Sequence, residues 1–223
     1  VNKGKSILVT RLLKGDSLIR KWAAEKQIDL IEKSFIETVA VTGLVIPKTD
    51  WIFFSSPQSV KLFFTHYKLA SKKVAALSNG TAAELSMHDI KADFIGSDSK
   101  TTKEIGHDFF KQISSTETVL FPLSDISKKN ISAQNKSEKT IELITYKTQL
   151  VKEKLEEIPA IILFTSPSNV DGFLLQNTPE LNTQILAIGA TTGEHLRKLG
   201  FKDILISDST NEKELVKALR GLL

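Results

Sequence analysis

The sequence predicts an α/β fold of two similar lobes, each a parallel β-sheet flanked by helices. Two observations predict it. Apolar runs of strand length alternate with segments of helical period, and the runs are near-continuous, as expected of strands buried on both faces. The chain also repeats itself. WIFFSSPQSV (51–60) returns as IILFTSPSNV (161–170) 110 residues on, VAALSNGTAAEL (74–85) as ILAIGATTGEHL (185–196) 111 on, and DFIGSDSKTTKEI (93–105) as DILISDSTNEKEL (203–215) 110 on. Even IET (36–38) falls opposite YKT (146–148). Solenoid repeats span ~20–50 residues, so a period this long makes each copy domain-sized.

The elements follow in order. ILVT (7–10) reads as the first strand and 16–26 as helical, and DLIEKSFIETVAV (29–41) is extended with few turn signals. WIFF (51–54) is a strand followed by a helical stripe of Val60, Phe63, Phe64 and Tyr67. VAAL (74–77) leads through the turn SNGT (78–81) into a helix at 82–85, and DFIG (93–96) into a stripe of Ile105, Phe109 and Ile113. TVLF (118–121) opens the second copy. The polar, lysine-rich stretch 124–140 follows, expected as a poorly packed helix or loop, and then TIELITYKTQLVK (140–152) as the counterpart of 29–41. IILF (161–164), ILAIG (185–189) and DILI (203–206) are the last strands. GATT (189–192) leads into a helix at 193–199, and Leu215, Leu219 and Leu222 mark the closing helix. Strand–helix alternation with short turns gives βαβ units.

Stretches 29–41 and 140–152 sit at the junctions of the copies and are expected to pair as connectors. One lobe then comprises residues 1–38 and 150–223, interrupted by the other at 41–145, with connectors at about 36–42 and 144–152. The repeat arithmetic equally allows two consecutive lobes.

At 223 residues with 41% hydrophobic and 25% charged side chains, the chain has material for a real core and is no disordered polymer. No run approaches the ~20 apolar residues of a membrane-spanning helix, and the start VNKGKSILVTR carries no export-signal pattern. Cysteine is absent, which removes disulfides, thiolate metal sites and cysteine nucleophiles. The four histidines, His66, His88, His107 and His195, have no metal-motif spacing. These features describe a cytoplasmic chain without membrane association, with monomer as the default. A net charge of +4 and pI near 9.1 favour anionic partners. The lysines are scattered, so a polyanionic small molecule suits better than nucleic acid.

Candidate site residues lie at strand ends. Ser56-Pro57 and Ser166-Pro167, with Ser55 beside the first pair, each follow a buried strand and open a helix. Serine N-caps and first-turn prolines need no function to explain them. In an open parallel sheet, however, ligands sit at the strand carboxyl ends, where helix N-termini offer unpaired N–H donors to anions. Duplication of the turn weighs for that second reading. Thr81 in SNGT, and Thr191 and Thr192 in GATT, divide in the same way between caps and anion contacts. Neither turn is a P-loop, for the GK[ST] ending is missing. Arg11, directly after ILVT, reads either as a bidentate carboxylate clamp or as a surface ion pair. Tyr146 is one of two tyrosines; it reads as half-buried packing or as a phenolic donor to a leaving oxygen. No paired-carboxylate, Ser-His-Asp or GxSxG pattern is present, so any chemistry rests on positioning and hydrogen bonds.

ILVTR (7–11), FFSSPQSV (53–60), LSNGTAAEL (77–85), TYKT (145–148), LFTSPSNV (163–170) and AIGATTGEHLRKLG (187–200) together resemble the motifs of the uroporphyrinogen-III synthases. The resemblance covers essentially the whole chain and includes the duplication. It implies lobes joined by a two-stranded connector, the first lobe built from both chain ends. It also implies a cyclising hydro-lyase of porphyrin, tetrapyrrole and heme biosynthesis that needs no metal or cofactor. Linear hydroxymethylbilane, an eight-carboxylate substrate, would lose water, invert ring D through a spiro intermediate and close to uroporphyrinogen III, held in a cleft between the lobes. On this reading Tyr146 is the proton donor, and Arg11, Ser55, Ser56, Thr81, Ser166, Thr191 and Thr192 line the substrate site. One departure stands out: where the second lobe's opening strand usually ends near an arginine, this chain has Leu123, and Lys128 or Lys129 would have to substitute. The alternative is a non-catalytic two-lobed module that binds an anionic metabolite.

Overall fold

A computed structural model describes residues 6–135 and 138–223. The chain divides into two compact units, one comprising Val1–Glu37 with Gln149–Leu223, the other Thr38–Thr148.

In the first unit, the described residues form a sheet in which β1 (Ser6–Val9), β2 (Asp29–Glu32), β9 (Ile161–Phe164), β10 (Gln184–Ala187) and β11 (Ile204–Ile206) lie in the order β11-β10-β9-β1-β2, all pairs parallel. Four helices attend it: α1 (Leu18–Glu25), α5 (Pro167–Leu174), α6 (Ala190–Lys198) and α7 (Glu212–Arg220).

In the second unit, β3 (Ile36–Ala40), β4 (Trp51–Phe54), β5 (Lys73–Ala76), β6 (Phe94–Ile95), β7 (Val119–Ser124) and β8 (Thr140–Leu150) lie in the order β3-β8-β7-β4-β5-β6. Its helices are α2 (Pro57–His66), α3 (Asn79–Ser86) and α4 (Thr102–Gln112). Setting β3 aside, the order β6-β5-β4-β7-β8 reproduces β11-β10-β9-β1-β2. Each half of the chain therefore gives its first two strands to one unit and its last three to the other. The chain passes from unit to unit within β3 and again within β8.

Burial on both faces explains the unbroken apolar runs. Along β9, Ile161 and Leu163 join one core face, Ile162 and Phe164 the other. Along β4, Trp51 and Phe53 separate in the same way from Ile52 and Phe54. Each such side chain contributes about 1.5–3 kcal/mol by leaving water. Phe53 packs edge-on against Phe109 at 4.8 Å and stacks on Phe121 at 5.4 Å. Pro122 is tolerated in a central strand because β4 pairs with β7 only at Val119 and Leu120, so its missing N–H leaves no rung of that ladder broken.

The structure corrects several boundaries. Stretch 29–41 is two strands: β2 pairs with β1, and only β3, within the expected connector at 36–42, lies beside β8. Helices α3 and α6 begin at Asn79 and Ala190, so SNGT and GATT already lie in the first helical turns. Stretch 124–140 is better packed than its composition suggests: Ile131 is buried, and the short 3-10 turn Ser132–Gln134 lies against α4. Positions 136 and 137, and the lead residues 1–5, lie outside the described residues. Among the described residues no helix is long and apolar enough to cross a membrane.

Candidate functional site

β3 runs antiparallel to β8, but the other strands of each sheet are parallel and bring their carboxyl ends to one edge, and the loops leaving those ends carry the candidate residues. In the first unit, Thr10 and Thr165 clamp β1 to β9 at this edge. The Thr165 N–H donates to Thr10 Oγ1 at 2.9 Å, and Thr165 Oγ1 donates to the Thr10 carbonyl at 2.9 Å. Ser166 caps α5, its Oγ accepting from the Asn169 amide at 3.2 Å and from Asn169 Nδ2 at 3.1 Å.

Arg11 and the loop after it, with Ser17, Lys21, Thr210, Asn211 and Glu212, line a cavity of about 680 Å³ at this edge. Glu212, the first residue of α7, is its organising anion: Oε2 accepts from Ser17 Oγ at 2.8 Å and from the Leu18 N–H at 2.6 Å, tying the N-termini of α1 and α7 together. Its other oxygen meets Arg11 Nη2 at 3.7 Å. The surface ion pair read for Arg11 is therefore present, but long, and the arginine side chain stays 37% exposed. Ser17 and Glu212 stand 195 residues apart, so no local pattern announced the pair.

Among the α-helices of the described residues, α6 alone has no side-chain cap. Gly189 stands at its N-cap with an extended backbone, leaving first-turn N–H groups open to a ligand. Thr191 is exposed there, whereas Thr192 is buried. The same correction applies to Thr81, which is fully buried; its N–H donates to Ser78 Oγ at 3.3 Å and the two hydroxyls lie 3.1 Å apart. Because these helices start earlier than their glycines suggested, both threonines fall at the third helical position and turn inward. The exposed residues of the SNGT turn are Asn79 and Gly80.

In the second unit, Ser56 and Ser59 form a reciprocal capping box on α2, Ser59 N donating to Ser56 Oγ at 3.1 Å and Ser56 N to Ser59 Oγ at 3.2 Å. Ser55, Leu77, Phe121, Leu123, Lys128 and Lys129 contribute to a second cavity, of about 170 Å³, at the strand ends. Lys129 Nζ binds Glu142 Oε2 at 2.6 Å, and Ser132 Oγ donates to Glu142 Oε1 at 2.6 Å. Burial alone would push Glu142 up; these two hydrogen bonds outweigh it and hold the carboxyl below the usual range.

Tyr146 lies on β8 level with Ser124, where the register slips: Leu123 pairs with Ile144, but Ser124 pairs with Tyr146. The extra residue, Thr145, is a bulge, and Thr145 and Tyr146 are consequently both buried in succession. Bulges re-aim side chains. The Tyr146 hydroxyl has no hydrogen-bond partner among the described residues. Tyr146 is not part of either cavity lining.

Together these features define a class: a two-lobed α/β protein whose matching sheets each gather helix N-termini at the strand carboxyl ends. The chain belongs to the uroporphyrinogen-III synthase HemD family, whose profile matches residues 20–217. Among solved structures it is similar to uroporphyrinogen-III synthetase from Helicobacter pylori, with 18% identity, TM-score 0.70, and coverage of 98% of this chain and 100% of that one. It also resembles a mutant uroporphyrinogen III synthase from Thermus thermophilus at 13% identity and TM-score 0.52, covering 97% and 98%. No curated protein sequence matches the chain.

Proposed function

We propose that this chain is a uroporphyrinogen-III synthase that cyclises hydroxymethylbilane with loss of water and inversion of ring D. The observation that carries the reading is the family match over residues 20–217. The site features agree with its chemistry.

The substrate bears eight carboxylates. Arg11, the uncapped first turn of α6 with Thr191, and the strand-end turns at Ser55, Ser56 and Ser166 offer cationic and N–H partners for them. On this reading Thr81 and Thr192 support the turns from within, since their side chains are buried.

Tyr146 supplies the proton with which the hydroxyl of the bilane leaves as water, and the pyrrole nitrogen's electrons take up the charge as an azafulvenium. The terminal pyrrole's substituted carbon then attacks, giving the spiro intermediate; its fragmentation and reclosure through the other α-carbon invert the ring. A proton lost on rearomatisation restores the balance. Nearly all the catalytic work lies in holding one bent conformation, and positioning of this kind is worth ~7–11 kcal/mol in well-oriented intramolecular reactions. The reading carries with it a cytoplasmic monomer acting without metal or cofactor in heme and tetrapyrrole biosynthesis. Isomer analysis of the cyclised product tests it: the type III isomer supports it, and type I alone overturns it.

A further inference from the structure

The two strand-end cavities occupy matching places in the two sheets, and the registers give the correspondence residue by residue. Ile7 pairs with Ile161, and Val119 with Trp51, the repeat mate of Ile161. Ile7 therefore corresponds to Val119 and, four residues on, Arg11 to Leu123. The guanidinium that serves the larger cavity has no counterpart on β7.

A cation nevertheless stands at the smaller one. Lys128 and Lys129 both border it. Lys129 adopts the left-handed backbone region, φ 54°, uncommon for a residue with a side chain, and its ammonium is spent on Glu142 at 2.6 Å. Lys128 is exposed and has no hydrogen bond or ion pair among the described residues. The buried side chains of Phe121, Leu123 and Ile131 give the same cavity an apolar lining, and Ser55 also borders it. An apolar lining bordered by an exposed lysine without an ion pair among the described residues is complementary to a short aliphatic acid, methylenes against the apolar side chains and carboxylate toward the ammonium. A volume of about 170 Å³ is enough for one such side chain.

We propose that this cavity is a subsite for one acetate or propionate side chain of the substrate, with Lys128 in the charge-bearing place that Arg11 holds in the other lobe. The subsite rests on the synthase reading for its ligand, but its test does not require turnover. Binding of uroporphyrin I, an unreactive octacarboxylate, is followed by quenching of its fluorescence in wild type, Lys128→Ala, Lys128→Arg and Lys91→Ala, alongside turnover of hydroxymethylbilane. Loss of one charged hydrogen bond at an exposed site weakens binding about tenfold. Lys128→Ala is expected to show that loss together with a shallower salt dependence, Lys128→Arg to restore both, and Lys91→Ala, an exposed lysine elsewhere, to match wild type. Lys128→Ala binding uroporphyrin I as wild type does, or weakening equally in Lys91→Ala, overturns the subsite even where type III product forms. Lys128-dependent binding without turnover upholds the subsite and instead removes the synthase reading.

Discussion

Arg20 grips Glu32 through two nitrogens, Nε to Oε1 and Nη2 to Oε2, both at 2.8 Å, while the same guanidinium donates to the carbonyls of Leu13 and Lys14 at 3.0 Å. Glu32 in turn accepts the Leu13 N–H at 2.8 Å. Helix α1, the edge strand β2 and the loop that carries Arg11 are thus fastened at one point. The hydrogen bonds from Arg20 hold the Glu32 carboxyl below its ordinary range.

This staple fixes the loop that carries Arg11. Glu32→Gln keeps the shape but loses the charged half of the grip. It is expected to raise KM several-fold with kcat little changed and to speed amide exchange across residues 11–17. An unchanged KM would mean that the loop does not present Arg11 to the substrate.

Tyr146→Phe tests the role proposed for the phenol. General-acid catalysis contributes ~10²–10⁴-fold, so kcat should fall within that range while KM and the type III product persist. Turnover equal to wild type takes the phenol out of the mechanism.

Gly172 sits in α5, where glycine costs about 1 kcal/mol relative to alanine. The reason is Phe35: a Cβ on Gly172 would stand 2.1 Å from its carbonyl oxygen, which already accepts Val151 N at 2.9 Å, while Phe35 N donates to Asn169 Oδ1 at 2.8 Å. Gly172→Ala gains helix propensity yet should lose about 1–3 kcal/mol net through the forced displacement, seen as a lower urea midpoint. A stabilised variant would show that α5 has room to move.

Asp50 provides a pH-dependent contribution away from the strand-end rim. The Thr118 backbone N–H, Lys72 and the Thr118 hydroxyl hold its carboxyl down at about 2. A depressed carboxyl stabilises the fold above its unfolded value, near 3.8, and the gain disappears as pH falls toward about 2. Thermal melts should therefore decline more steeply between pH 4 and 2 in wild type than in Asp50→Asn. Parallel declines would show that the carboxylate is not anchored in solution.

The strands were legible because burial on two faces leaves unbroken apolar runs, and WIFF and IILF coincide with β4 and β9. Glycine misled the reading of the helix starts. Gly80 lies inside the first turn of α3, so Thr81 turned out to be an inward residue rather than a rim residue. The bulge that turns Tyr146 inward was invisible, because TIELITYKTQL reads as an ordinary strand and the slip exists only against β7. Glu212 was hidden for another reason: its partners Ser17 and Leu18 lie at the far end of the chain. The pairing that sets Lys129 apart from Lys128 likewise depends on Glu142, thirteen residues beyond Lys129.

Which porphyrin isomer the protein makes decides whether it is a synthase. Freshly prepared hydroxymethylbilane, incubated with the purified chain and with a heat-denatured control, is oxidised and resolved into its isomers by chromatography. A synthase gives the type III isomer in excess, formed faster than the control closes its ring; type I alone, at the control's rate, would contradict the proposed function.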